Sequence, residues 1–145
     1  MNIQEFISNY HNHPVLFIGT GMSLRYLENS YSWNSLLQKI ASDFNPDPEY
    51  YLDLKAEHMQ STGYAYEQIA AQIEKDFNQC LKENRHGKFE YINDLFYENI
   101  RNGTNISRFK LYLADLLKEV IIKDSALPEI AELKKARRNI SSVIT

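Results

Sequence analysis

Val15-Leu16-Phe17-Ile18-Gly19-Thr20-Gly21-Met22-Ser23 is the stretch whose reading decides the fold. Four consecutive apolar residues rich in strand formers are expected to make a strand buried on both faces, as in a parallel sheet. A strand that stops in Gly-x-Gly has the form of the opening of a nucleotide-binding unit. Its first glycine permits a tight turn, and its second lets a phosphate approach the backbone. Backbone N–H groups left open in such a turn attract anions. Taken alone, Gly19-Thr20-Gly21 is equally a strand-ending turn. No third glycine stands at the dinucleotide spacing, and no acidic residue closes a second strand ~20 residues on, which argues against an ordinary dehydrogenase. No Gly-Lys-Ser/Thr follows, so a P-loop is excluded.

Upstream of this stretch, residues 2–11 are expected to form a short amphipathic helix. Asn2 and Glu5 make its capping box, and Ile3, Phe6, Ile7 and Tyr10 share one face. Downstream, Leu24–Tyr31 has no clear period and is expected to be loop. Helices are expected over 32–44, 48–59, 65–83, 88–100, 106–122 and 127–138. The cleanest is 65–83, where Tyr66, Ile69, Ala70, Ile73, Phe77, Cys80 and Leu81 keep one face. Asn102-Gly103 signals a turn. Residues 140–145 look like a second strand.

The expected fold class is therefore α/β and mostly helical: the start of a Rossmann-like parallel sheet, with two strands at about 14–18 and 140–145 and a large helical insertion. The expected organisation is a single domain, in which 1–31 hold the first strand and glycine loop, 32–138 the insertion, and 139–145 the second strand. Two parallel strands are a small sheet, and the sequence stops inside the second. The chain is accordingly expected to be the N-terminal part of a larger domain.

Composition narrows the function classes. With 145 residues, 43% of them hydrophobic, the chain has the length and apolar content for one domain with a real core. Its net charge of −3 speaks against a nucleic-acid partner, because backbone phosphates demand concentrated Lys and Arg. The 10 Tyr and 7 Phe point to a large core or to partner-facing surfaces without deciding between them. A single cysteine, Cys80, rules out an internal disulfide and a Cys-built zinc site. No signal peptide is evident at the N-terminus, and Val15–Ile18 is too short to span a membrane. A soluble protein of the cytoplasm, without membrane contact, is expected.

The string Val15–Ser23 resembles the first motif of sirtuins and SIR2-like proteins, a buried strand followed by Gly-Ala-Gly-x-Ser, with Thr20 in place of the alanine. Ser32-Trp33-Asn34-Ser35-Leu36-Leu37 looks like the Trp-x-x-Leu helix start of bacterial SIR2-like proteins. Ser142-Val143-Ile144-Thr145 looks like the strand leading into their Thr-x-Asn-x-Asp motif. The resemblance touches both ends of the chain and leaves its helical middle uninformative. It implies NAD as ligand, with Gly19, Thr20, Gly21 and Ser23 at the positions that hold the phosphates and adjacent ribose, and Met22 contributing through its backbone. The sirtuin Gly-Ile-Pro-Asp-Phe-Arg segment is absent. Arg25, Tyr26 and Tyr31 lie in its region without a residue-by-residue match. Trp33 and Thr145 complete the implied binding set.

Deacetylating sirtuins carry a four-Cys zinc site, which this chain lacks. It is more similar to the zinc-free SIR2-like proteins of bacterial anti-phage systems, which hydrolyse NAD. In that reaction the ribose–nicotinamide bond breaks through a cation-like ribose while an oriented water attacks. The motif's Asn positions the reactants and a later His serves as general base. Both would lie beyond Thr145, so the resemblance places no catalytic residue in this chain. Homo-oligomerisation or additional C-terminal domains are expected of the intact protein. The alternatives kept beside this are a non-catalytic helical interaction module and a nucleotide-sensing module without turnover.

The remaining candidates have plainer readings. His11, His13, His58 and His86 lack metal-ligand spacing and are expected at surfaces or turns. Cys80 is expected to be a buried structural residue. Trp33 reads first as core and second as a stacking platform. Lys134, Lys135, Arg137 and Arg138 read as charges offsetting a helix dipole, with phosphate contact as the alternative. Carboxylates such as Glu74 and Asp76 read as solvated.

Overall fold

A computed structural model describes residues 5, 15–17, 19–136 and 142–144. The expected helix over 2–11 therefore lies outside the described residues except for Glu5. The chain divides into two compact units: residues 1–32 with 120–145, and residues 33–119. Most described residues are helical, and none of these helices is long and apolar enough to cross a membrane.

In the first unit, β1 (Val15–Phe17) pairs in parallel with β4 (Ser142–Ile144). The register is Val15↔Ser142, Leu16↔Val143 and Phe17↔Ile144. Both strands fall within the ranges expected of them, 14–18 and 140–145. The segment expected to be glycine loop and unpatterned loop is instead helical: α1 spans Thr20–Tyr26. A glycine costs a helix about 1 kcal/mol against alanine and Ser and Thr are weak helix formers, so local propensity argues for loop here. Tertiary contacts override it. The Leu27 N–H closes α1 onto the Ser23 carbonyl at 2.9 Å. Beyond it, Leu27 bridges Ile122 in antiparallel fashion. The N–H of Glu28 donates to the Ile121 carbonyl and that of Lys123 to the Tyr26 carbonyl, each at 2.9 Å.

That bridge also explains why the helix expected over 106–122 stops early. Val120-Ile121-Ile122 are β-branched, stiff and suited to extended backbone. They leave the helical path to line up beside residues 27–28, and Val120, expected inward, stands 66% exposed. A short 3-10 turn, Asp124–Ala126, then leads into α7 (Leu127–Ala136). This last helix, grouped with the insertion on sequence grounds, belongs with the strands.

The second unit comprises α2 (Trp33–Phe44), α3 (Tyr50–Glu57), α4 (Tyr66–Glu83), α5 (Glu90–Arg101) and α6 (Arg108–Leu117). Helix α4 presents Ile69, Ile73, Phe77 and Leu81 at fourfold spacing, all fully buried or nearly so. Phe77 is the hub: its ring meets those of Phe44 at 5.5 Å, Phe89 at 5.3 Å, Phe109 at 6.0 Å and Tyr112 at 5.2 Å. Much of the aromatic load is thus core. Edge-to-face and offset pairs of this kind add about 0.5–1.5 kcal/mol each beyond burial.

Residues 58–64, in part assigned to a helix over 48–59, form a hairpin of β2 (Met59–Gln60) and β3 (Gly63–Tyr64). Gly63, at φ +126°, supplies a conformation that a side chain disfavours. The Asn102-Gly103 turn forms as its sequence predicts, with Gly103 at φ +79°.

Candidate functional site

The glycine turn lies between β1 and α1. Gly19 is the N-cap, extended at φ −101° and ψ 176°, without a side chain to cap the helix. Gly19, Thr20, Gly21 and Ser23 are exposed, and Met22 is half-buried. Neither glycine has a positive φ, and among the described residues a Cβ built on either would meet no atom within 4 Å beyond its chain neighbours and its own helix backbone. The described residues therefore impose no conformational or steric need for glycine at 19 or 21. The open space over the backbone is the kind a closely approaching group would use.

Arg25, read from sequence as a phosphate- or nicotinamide-facing candidate, is engaged elsewhere. Its Nε and Nη2 donate to the two carboxylate oxygens of Glu129 on α7, each at 2.9 Å. The Glu129 hydrogen bond holds the Arg25 guanidinium above its ordinary pKa, and the same bond, with a lesser contribution from Tyr26, holds the Glu129 carboxyl below its own. Nothing local in the sequence announces this pair, whose members are 104 residues apart. Lys123 adds a second tie, donating from Nζ to the Leu24 carbonyl at 2.8 Å.

An open groove of about 400 Å³ adjoins the turn, lined by Met22, Ser23, Tyr26, Ile122, Ile130 and Leu133 among others. Its apolar walls are suited to a flat or aliphatic group, and the Ser23 hydroxyl is among its few polar features. Tyr26 and Tyr31 are half-buried. Trp33 belongs to the helical unit and is 55% exposed, so it is not the core residue first expected. Thr145 lies outside the described residues.

No known family model, curated protein or solved structure matches this chain.

The other candidates resolve into structural roles or exposed positions. His58 and His86 face Gln68 and Glu90 respectively, while His11 and His13 lie outside the described residues. Cys80 is half-buried rather than buried, 4.0 Å from the Phe44 carbonyl. Asp76 and Glu74 are not simply solvated. Asp76 accepts from Tyr50 and Gln72, and Glu74 accepts from Ser107. Lys134 and Lys135 sit in the last turn of α7, with Lys135 paired to Glu132. Arg137 and Arg138 lie outside the described residues. Among the described residues no group of His, Cys, Asp or Glu could hold a metal ion.

Sequence reasoning missed a buried polar cluster in the helical unit. Arg108, only 8% exposed, donates to Asn93 at 2.6 Å and to the Tyr97 hydroxyl at 3.2 Å. Its guanidinium lies 3.8 Å from the Phe96 ring centroid. Asp43, nearby in sequence to none of its partners but Lys39, accepts from Lys39, Lys88 and Tyr112. Burial pushes its carboxyl up, but the three donors outweigh burial and hold it below the usual range.

Proposed function

We propose that this chain is the NAD-binding opening of a SIR2-like, Rossmann-like domain of the zinc-free kind. In the complete protein that domain would hydrolyse NAD to nicotinamide and ADP-ribose as part of bacterial anti-phage defence. The observation that carries the reading is the glycine turn itself: strand β1, then Gly19-Thr20-Gly21 at the start of α1, with no side chain of the described residues crowding either glycine. The parallel partner β4 is in keeping with it. Gly19, Thr20, Gly21, Met22 and Ser23 would cradle the phosphates and adjacent ribose, and Arg25 would supply charge. No residue of the chain is assigned a role in breaking the bond to nicotinamide.

Calorimetric titration with NAD tests the reading. Weak binding by wild type and its loss in Gly21→Asp are expected, because an added carboxylate both fills the open space and repels phosphate. Absence of binding by the folded protein would overturn the proposal. Purified 1–145 should release no nicotinamide above background.

A second reading, a non-catalytic helical interaction module, is favoured by apolar side chains that stand out from the helical unit, including Trp33, Leu52, Met59, Tyr91 and Leu95. It predicts no NAD binding, and concentration-dependent association instead.

A further inference from the structure

The extended run Val120-Ile121-Ile122 is paired along one edge only. The Ile121 N–H donates to the Asn29 side chain at 3.1 Å, and its carbonyl accepts from the Glu28 N–H at 2.9 Å. The Lys123 N–H donates to the Tyr26 carbonyl on the same side. Successive residues of an extended chain direct their N–H and C=O groups to opposite edges. Val120 and Ile122 therefore turn theirs away from residues 26–29, and among the described residues no backbone group is hydrogen-bonded to them there. The three side chains are 66%, 45% and 43% exposed. β-Branched residues on an open edge are the form that pairs with another strand.

The sequence around this run, Lys118-Glu119-Val120-Ile121-Ile122-Lys123-Asp124, is complementary to its own reverse. Turned about Ile121, it sets Val120 against Ile122, Glu119 against Lys123 and Lys118 against Asp124. Apolar meets apolar, and each charge meets its opposite. A strand of this same sequence therefore satisfies both flanks at once. We propose that residues 120–122 are a docking edge for a second copy of this chain, the two runs pairing antiparallel about a two-fold axis at Ile121. Such an interface uses the same patch on both protomers. The register agrees with the backbone. Val120 stands opposite the partner's Ile122, and these are the residues whose N–H and C=O groups face outward, so each such pair exchanges both hydrogen bonds. Glu119 and Lys123 then meet across the axis on the Ile121 face. Lys123 already donates from Nζ to the Leu24 carbonyl, and an ammonium carries further donors. Val120 and Ile122 also line the apolar groove beside Met22, Tyr26, Ile130 and Leu133, so pairing extends that apolar face across the two-fold. The inference goes beyond the NAD reading and does not depend on it.

Sedimentation equilibrium of the whole chain over a concentration series tests this. Wild type should pass from monomer to dimer and no further, because a two-fold pairing consumes the edge. Ile121→Lys sets like charges opposite each other at the axis and should weaken dimerisation by about tenfold or more. Glu119→Lys or Lys123→Glu alone should weaken it by about three- to tenfold, each acting twice by symmetry. Glu119→Lys combined with Lys123→Glu restores opposite charges and should return the affinity to within about twofold of wild type. Circular-dichroism melts at low concentration confirm that each variant folds, and recovery in the double variant excludes a folding defect as the cause of the single losses. A wild-type chain that stays monomeric throughout overturns the proposal. A dimer indifferent to Ile121→Lys also overturns it, placing the contact on another surface. A folded double variant that stays as weak as the single ones overturns the antiparallel register.

Discussion

Asn93 and Arg108 form a buried polar pair in the helical unit, their side chains 2.6 Å apart between Asn93 Oδ1 and Arg108 Nε. Asn93 is 3% exposed, and its amide also donates to the carbonyls of Leu81 and Arg85 at 3.0 and 3.2 Å. It therefore closes the end of α4 and orients the buried guanidinium at once. Asn93→Ala should lower unfolding stability by about 3 kcal/mol, because it strips partners from two carbonyls and a buried charge together. Urea unfolding measures it, and a loss under about 1 kcal/mol would show that water replaces the amide.

Asp43 gives the unit an acid-sensitive joint. Its folded pKa is lowered, so its contribution is present above the unfolded value near 3.8 and lost as pH falls through the lower folded value. Asp43→Asn should cost about 1–2 kcal/mol at neutral pH, the worth of charge-assisted hydrogen bonds in a half-buried place. The gap from wild type should shrink as pH drops from 4 toward 2. Denaturant titrations at several pH values would show it, and a constant gap would mean that the carboxylate charge is irrelevant.

The glycines separate by their backbone. Gly103 sits at φ +79°, so Gly103→Ala should destabilise by about 1–2 kcal/mol. Gly21 is helical without a positive φ, and among the described residues nothing crowds its missing Cβ, so Gly21→Ala should leave stability unchanged or raise it by up to about 1 kcal/mol. Paired thermal melts would check the contrast. A large loss at Gly21 would give that glycine a structural purpose and weaken the ligand-side reason for it.

Aromatic side chains should divide in the same manner. Phe77→Ala, at the hub of the ring cluster and fully buried, should cost about 3–5 kcal/mol. Trp33→Ala, more than half exposed, should stay within about 0.5 kcal/mol of wild type. Equal losses in chemical denaturation would contradict the packing described for α2.

What was legible in the sequence followed from local pattern. The face of α4 could be read because Ile69, Ile73 and Phe77 repeat at the helical period. The turn at Gly103 could be read because Asn-Gly has few other uses. Val120-Ile121-Ile122 could not be placed by period alone, since a short apolar run fits a helix or a strand equally. Their partner, Leu27, is far away in the chain. The strands of the hairpin at 59–64 could not be read because, at two residues each, they are too short to show alternation. Trp33 was misplaced because spacing identifies a face and does not say whether anything packs on it.

By itself the sequence determined β1, β4, the turn at Gly103 and the buried face of α4, because those depend on neighbours within one or two helical turns. It also singled out Gly19–Ser23 as the place to look for an anion. Tertiary structure alone decided that this stretch is the start of a helix, that Arg25 answers to Glu129, and that Arg108 is buried against Asn93 and Phe96. Such pairings join residues distant along the chain. They depend on how the backbone brings charges and rings together, which no local periodicity encodes.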